Sequence, residues 1–262
     1  DFRRRQPRAF ISHAHADHMA RHEYALCTPE TSALYQFRLG PRATRELPYR
    51  QPIQWGGLRL TTYPAGHCLG SAMLLAEDQR ESLLYTGDFK LGPSATAEQA
   101  ELVHADLLVI ESTFGRSVDR MPPRDDVIGQ LEELVRRTLT DDAVPVIHAY
   151  TLGKSQEVTR LLTDRGIPVM QHRDIYAVSR VYEACGCPLG RYEEFRGTAD
   201  AGWAVVVPPR ARVASIARAV HIAVTGWALD PSAKYRLRVD HALPLSDHAD
   251  FPELIEAVER VA

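Results

Sequence analysis

Ser12-His13-Ala14-His15-Ala16-Asp17-His18 follows directly on a short apolar stretch, Arg8-Ala9-Phe10-Ile11. Four metal-competent side chains, His13, His15, Asp17 and His18, thus fall within six residues. Imidazole nitrogens and carboxylate oxygens are what borderline divalent cations take as ligands. No single helix or strand aims four such groups at one point, but a strand end followed by a tight turn does. His13 and His15, two residues apart, point the same way. Asp17 and His18 project to one side of them from the turn that follows. This spacing suits two adjoining cation sites better than one. A polar loop that happens to be rich in histidine is the alternative, and H-x-H-x-D-H after a strand favours metal binding over it.

The missing ligands are sought at other strand ends. Ala65-Gly66-His67-Cys68-Leu69-Gly70 puts His67 in a glycine-flanked loop, and Thr86-Gly87-Asp88 puts Asp88 directly after Leu83-Leu84-Tyr85. Glycines let backbone approach an ion closely. Leu245-Ser246-Asp247-His248-Ala249-Asp250 again stands between a strand and a helix. Its aspartates are read as caps of the last helix, and His248 as the nitrogen that a second ion still needs. Site one takes His13, His15 and His67, site two takes Asp17, His18 and His248, and Asp88 bridges them with its two oxygens. Two ions about 3.5–4 Å apart would bring a shared water's pKa towards neutrality and clamp both oxygens of a displacement. The nitrogen-rich set favours zinc, with manganese possible at the carboxylate-richer site.

The chain has 262 residues, net charge −3 and 45% hydrophobic residues, as expected of a soluble globular protein with room for one large domain or a core and a smaller one, and its alternating elements read as α/β. No apolar run is long enough to span a bilayer, and no signal-peptide pattern opens the chain. It starts at Asp1 rather than Met, which we read as loss of some N-terminal sequence. The four cysteines, at 27, 68, 185 and 187, form no C-x-x-C pair and are expected as reduced thiols of a cytoplasmic protein. Residues 1–50 carry nine arginines against five acids, a local basic balance within a slightly acidic whole.

Short strand patterns fill the chain up to Asp106–Ile110, with a helix over Pro29–Leu39. After Met121-Pro122-Pro123 the texture changes to alternating helix and strand. Helices are expected at Arg124–Leu139, Gly153–Arg165 and Ile175–Ala184, and strands at Val144–Ile147, Ile167–Met170 and Trp203–Val207. Strand patterns return at Ile222–Thr225 and Val239–Leu245, and Phe251–Val261 reads as an amphipathic helix.

The set His13-x-His15-x-Asp17-His18, His67 and Asp88 resembles that of the metallo-β-lactamase fold, an αββα sandwich with a binuclear site at one edge. Asp1 matches the acidic residue that precedes this motif and steadies its ligands from behind. Asp88 and His248 are separated by 160 residues, an interval that resembles the cap insertion of the β-CASP nucleases. So do Ile110-Glu111-Ser112-Thr113-Phe114 and the segment His148–Glu157 with Gly153-Lys154-Ser155-Gln156-Glu157. Thr225-Gly226-Trp227 is similar to the Artemis-like branch, and the whole pattern is most similar to bacterial ligase-associated DNA exonucleases. The resemblance implies a metallo-β-lactamase core over 1–118 and 220–262, interrupted by a cap over 119–219. It implies phosphodiester hydrolysis in DNA by a metal-bound hydroxide, in DNA repair or processing, beside a ligase and helicase repair system. Asp17 and Glu111 would act on the chemistry directly, Glu111 by orienting ligands or relaying a proton.

Two features bear on substrate. β-CASP ribonucleases carry a further histidine near the segment Asp230–Arg236, and none occurs here, which argues against the RNA-processing alternative. A small-molecule hydrolase of lactonase or thioesterase type shares most of the ligands but not the insertion or Glu111. Lys154, in the first turn of a helix, and Arg210 and Arg212, after Pro208-Pro209, are candidate phosphate contacts.

Overall fold

A computed structural model describes residues 1, 3–211, 213 and 215–261. They form two compact units. Unit 1 comprises Asp1–Asp119 and Asp247–Ala262, and unit 2 comprises Arg120–Ser246.

Unit 1 begins with β1 (Arg8–Phe10), β2 (Tyr24–Cys27), α1 (Pro29–Leu39) and β3 (Thr44–Glu46). The strands form a three-stranded parallel sheet in that order. Helix α1 starts where sequence chemistry requires: the Thr28 hydroxyl accepts the Thr31 N–H at 3.2 Å, and Pro29 occupies the first turn. A second sheet runs β4 (Ile53–Trp55), β5 (Leu58–Pro64), β6 (Ala72–Glu77), β7 (Ser82–Tyr85) and β8 (Leu107–Val109), antiparallel except for the last pair. Side chains on β5 and β6 alternate between two cores, as strand geometry demands. Leu60, Leu74 and Ala76 meet Leu26 and Phe10 of the first sheet. Tyr63, Met73 and Leu75 face the opposite way, where Leu254, Ala257 and Val261 of the last helix, Phe251–Val261, cover them.

Unit 2 continues with α2 (Arg124–Thr140), β9 (Val144–His148), α3 (Lys154–Thr163), β10 (Val169–Gln171), α4 (Arg173–Ala184), β11 (Tyr192–Glu194), β12 (Ala204–Val207), β13 (Ala219–Val224), α5 (Ala233–Leu237) and β14 (His241–Leu243). Its six strands form one parallel sheet in the order β11-β10-β12-β9-β13-β14. The last helix of the chain, α6, belongs to unit 1. Fully buried Ala204, Val205, Val206 and Val207 show the continuous apolar run of a strand covered on both faces.

Unit 2 runs on past residue 219 to Ser246. Ala219 pairs with Val144 and Ile222 with His241, so both later strands extend the sheet of unit 2 and the chain leaves that unit after Ser246. Apolar pattern reveals a strand but not which neighbour supplies its hydrogen bonds. Among the described residues no helix is long and apolar enough to cross a membrane.

Candidate metal centre

The turn after β1 carries Ser12, His13, His15 and His18. Two loops of the second sheet meet it: one from β5 to β6 with His67, one after β7 with Asp88. The approach is close enough to require glycine. A Cβ on Gly87 (φ +55) would lie 2.6 Å from Ser12 Cβ, and one on Gly66 (φ +77) would lie 2.2 Å from the Lys90 carbonyl oxygen.

Donor atoms of His13, His15, His67 and Asp88 lie within 4.8 Å of one another, as do those of Asp88, Glu111 and His248. Asp88 belongs to both groups. Its Oδ2 lies 3.6 Å from His13 Nε2, 3.3 Å from His18 Nε2, 3.9 Å from His67 Nε2 and 3.9 Å from His248 Nδ1.

The far ring nitrogens are held by oxygen. His67 Nδ1 donates to the Asp247 carbonyl at 2.8 Å, so its Nε2 presents a lone pair inward. His18 Nδ1 stands 3.1 Å from Asp1 Oδ2. Ser12 Oγ donates to Asp1 Oδ2 at 2.5 Å, leaving its lone pairs for His13 Nδ1–H at 2.9 Å. The Nε2 of His13 is therefore an unprotonated nitrogen, fully buried and without a hydrogen-bond partner. A buried orphan of this kind costs on the order of 1–3 kcal/mol, and a cation among the inward-facing donors would satisfy it. The donor set of nitrogens and carboxylates fits a divalent ion of the zinc or manganese type.

Two of the imidazoles are pushed towards the neutral form that ligation needs. Burial, followed by the charges of His67, His15, His18 and His248, holds His13 well below the ordinary histidine range. Burial also lowers His67, with His248 adding to the effect. Asp88 would be raised by burial, but the hydrogen bond from His18 and the charges of His67 and His248 bring it down to about 2. His248 would be lowered by burial, but its contact with Glu111, at 2.9 Å, lifts it to about 9, with Asp247 and Asp88 adding to the effect. The other oxygen of Glu111 accepts the Phe89 N–H at 2.7 Å, which ties this carboxylate to the residue after Asp88.

Asp1 is the hub behind the ligands. Its carboxylate accepts Ser12 N–H and Ser12 Oγ–H, meets His18, and accepts the Tyr85 hydroxyl at 2.7 Å. Ser12 and Tyr85 escaped sequence reading because serine and tyrosine at strand ends are common and carry no spacing signal. The sequence pattern makes Asp247 a candidate helix cap. Here Asp250 takes that part, accepting the Glu253 N–H at 3.2 Å, while Asp247 joins a donor group with His67 and His248.

Asp17 stands apart from the donor groups. Its side chain is 52% exposed, and its carboxylate lies 3.6 Å from Arg3. Lys154 and Arg210 both lie in unit 2. Lys154 is 1% exposed, and its ammonium donates to Glu157 Oε2 at 2.8 Å, with Arg124 on Oε1 at 2.8 Å. Gln156 is equally committed. Its Oε1 accepts the Gly153 N–H at 2.8 Å and its Nε2 donates to Ser179 Oγ at 3.1 Å. The Gly-Lys-Ser-Gln-Glu segment thus builds the start of α3 from inside. Arg210 is exposed, and Arg212 lies outside the described residues.

No protein-family model matches the chain. It is 42% identical over 263 residues to the protein named "Probable DNA ligase" of Opitutus terrae, an alignment that covers 98% of this chain and 26% of that protein. It is 33% identical over 151 residues to cleavage and polyadenylation specificity factor subunit 3 of Dictyostelium discoideum, covering 56% of this chain and 19% of that one. An RNase J-like protein of Methanocaldococcus jannaschii is 30% identical over 134 residues, 48% of this chain and 32% of its own. The chain therefore spans a third or less of each relative's length. Among solved structures, a protein of unknown function from Enterococcus faecalis V583 shares the fold with a TM-score of 0.67 at 14% identity, covering 97% of this chain and 73% of that one.

Proposed function

We propose that the chain is a metallo-β-lactamase core carrying an inserted β-CASP cap, and that it is a binuclear, metal-dependent nuclease that hydrolyses phosphodiester bonds of DNA. The observation that carries the reading is the pair of donor groups sharing Asp88, one of which includes the orphaned Nε2 of His13. His13, His15 and His67 would hold one ion, His18 and His248 the other, with Asp88 between them. Asp17 completes the second set by leaving Arg3, since an exposed ion pair contributes less than about 1 kcal/mol. Bound divalent cations, zinc in the first instance, supply an acidified water and neutralise phosphate oxygens at neutral pH.

This chain's own residues set the geometry. Ser12 and the Asp247 carbonyl fix the tautomers of His13 and His67. Asp1 orients His18. Glu111 holds His248 and the backbone after Asp88, and it is the carboxylate within reach of a proton released beside Asp88.

A DNA substrate is favoured by the extent of similarity. The ligase-named relative matches 98% of the chain, whereas the RNase J-like relative matches 48%. The name of the latter supports the second reading, an RNA-processing enzyme. Exonuclease action, a cytoplasmic location and a role beside a DNA ligase belong to the same proposal.

End-labelled DNA and RNA oligonucleotides, each with and without a 5′-phosphate, incubated with zinc or manganese, test it. DNA shortened stepwise from one end, with the activity lost in His248→Ala, is the expected outcome. Intact nucleic acid alongside hydrolysis of a thioester or lactone would replace the nuclease reading by a small-molecule hydrolase.

A further inference from the structure

Helix α1 of unit 1 carries a polar stripe. Thr31, Tyr35 and Arg38 follow one another at spacings of four and three residues, which put them on one face of the helix, and the N-cap Thr28 precedes them by three. The inward face of a helix is ordinarily apolar. Here Thr28, Thr31 and Tyr35 are fully buried, and all four side chains end in a hydrogen-bond donor. Each of these donors goes to a backbone carbonyl outside the helix.

At the start of α1 the Thr28 and Thr31 hydroxyls both donate to the Gly70 carbonyl, at 2.7 and 2.8 Å. Gly70 belongs to the loop of His67. That loop is closed on itself, because Ser71 Oγ accepts the N–H groups of His67 and Cys68, both at 3.1 Å. It passes so near the helix that a Cβ on Gly70 would stand 2.6 Å from that of Glu30. At the other end of α1 the Arg38 guanidinium donates to the carbonyl of Ala14, the residue between His13 and His15. The Tyr35 hydroxyl donates to the Ala20 carbonyl at 2.7 Å and accepts the His22 N–H at 3.2 Å. One end of the helix thus grips the loop of His67, and the other grips the turn of His13 and His15. The two loops meet where His67 Nε2 stands 3.0 Å from His15 Nδ1. From Thr31 to Arg38 the helix spans about 10 Å.

We infer that α1 is a strut that sets the separation between His67 and the pair His13 and His15, with Thr31 and Arg38 as the positioning residues at its two ends. The inference rests on the metal centre proposed above and deepens it, because it assigns the placing of one ion's three imidazoles to a helix that contributes no ligand. Thr31 acts through His67 alone, since the loop it holds carries no other donor of the centre. Arg38 acts on the turn from which His13 and His15 project.

The test uses the full chain, stripped of metal by chelation and titrated with cobalt(II), whose visible absorption reports the geometry of its ligands. Competition with a chromogenic chelator gives the affinities. Thr31→Val and Arg38→Met should each weaken cobalt binding about three- to tenfold and shift the visible bands. Thr31→Ser and Arg38→Lys keep a donor at each position and should bind and absorb as the wild type does. In a His67→Ala background Thr31→Val should add nothing, because the ligand it places is gone. A helix face that serves stability alone would lower the thermal midpoint of Thr31→Val and Arg38→Met and leave affinity and bands in place, and that result overturns the inference. An undiminished effect of Thr31→Val in the His67→Ala background overturns it as well. If Thr31→Val does not fold, Arg38→Met and its lysine counterpart carry the test from the other end of the helix. Wild-type protein that takes up no cobalt overturns the metal centre itself and the inference with it, whereas two bound ions held equally well by wild type and both variants overturn only the role of α1.

Discussion

His13 Nε2 lies 3.6 Å from Asp88 Oδ2, too far for a hydrogen bond and close enough for one ion to bond both atoms. Asp88 is the member that both donor groups share. Asp88→Asn should therefore lower metal content further than His15→Ala, a residue of one group only. Elemental analysis of the two purified variants reads this directly. Equal content in both would mean that Asp88 does not serve two ions.

Glu111→Gln keeps an acceptor for the Phe89 N–H but removes the charge facing His248. The fold should survive, while metal affinity falls about 10–100-fold, as expected for the loss of a group that orients a ligand. Competition with a chromogenic chelator measures it. An unchanged affinity would assign Glu111 to proton relay alone.

Gly87→Ala should cost about 2–5 kcal/mol. The left-handed φ accounts for about 1–2 of this, and the overlap with Ser12 for about 1–3. The same change at Gly56 (φ +56), where a Cβ meets nothing within 4 Å, carries the backbone cost only. Denaturant melts of the pair isolate the contact. If both variants lost the same stability, the close approach of Gly87 to Ser12 would not constrain the loop.

Lys154→Met removes the ammonium beside the buried Glu157 and leaves Arg124 on its other oxygen at 2.8 Å. A destabilisation of about 3 kcal/mol is expected, the lower range for breaking a buried pair. The salt dependence of nucleic-acid binding should stay unchanged. A flatter dependence would return Lys154 to the phosphate contacts.

Burial, helped by the nearby Glu46 carboxylate, pushes the Cys27 thiol up to about 12. A raised thiol stays protonated and unreactive until the pH nears that value. Cys68 is buried as well, whereas Cys185 and Cys187 are partly exposed. Native protein treated with a thiol reagent up to about pH 9 should thus react at Cys185 and Cys187 and spare Cys27. Labelling of Cys27 in native protein, located by peptide mass, would contradict its burial.

The residues that converge were legible because a metal site demands particular side chains at particular spacings. His13, His15, His18, His67, Asp88 and His248 all converge. Other expectations turned on direction and partnership. Asp17 has the right spacing yet faces Arg3, and Lys154 has the right place in its helix yet points into the interior of unit 2. A helical pattern says which residues start the helix but not which of them the packing will bury.

Sequence alone determined the chemistry at the strand ends and the change of texture after Pro123, because residue type and period are local properties. Only the tertiary structure decided which sheet Ala219–Val224 and His241–Leu243 join, and that Ser12, Tyr85 and Asp1 form one hydrogen-bonded support. It also decided that Thr31 and Arg38 of α1 reach carbonyls in two separate loops. These depend on strand pairing and on contacts between residues far apart in the chain, which no local pattern encodes.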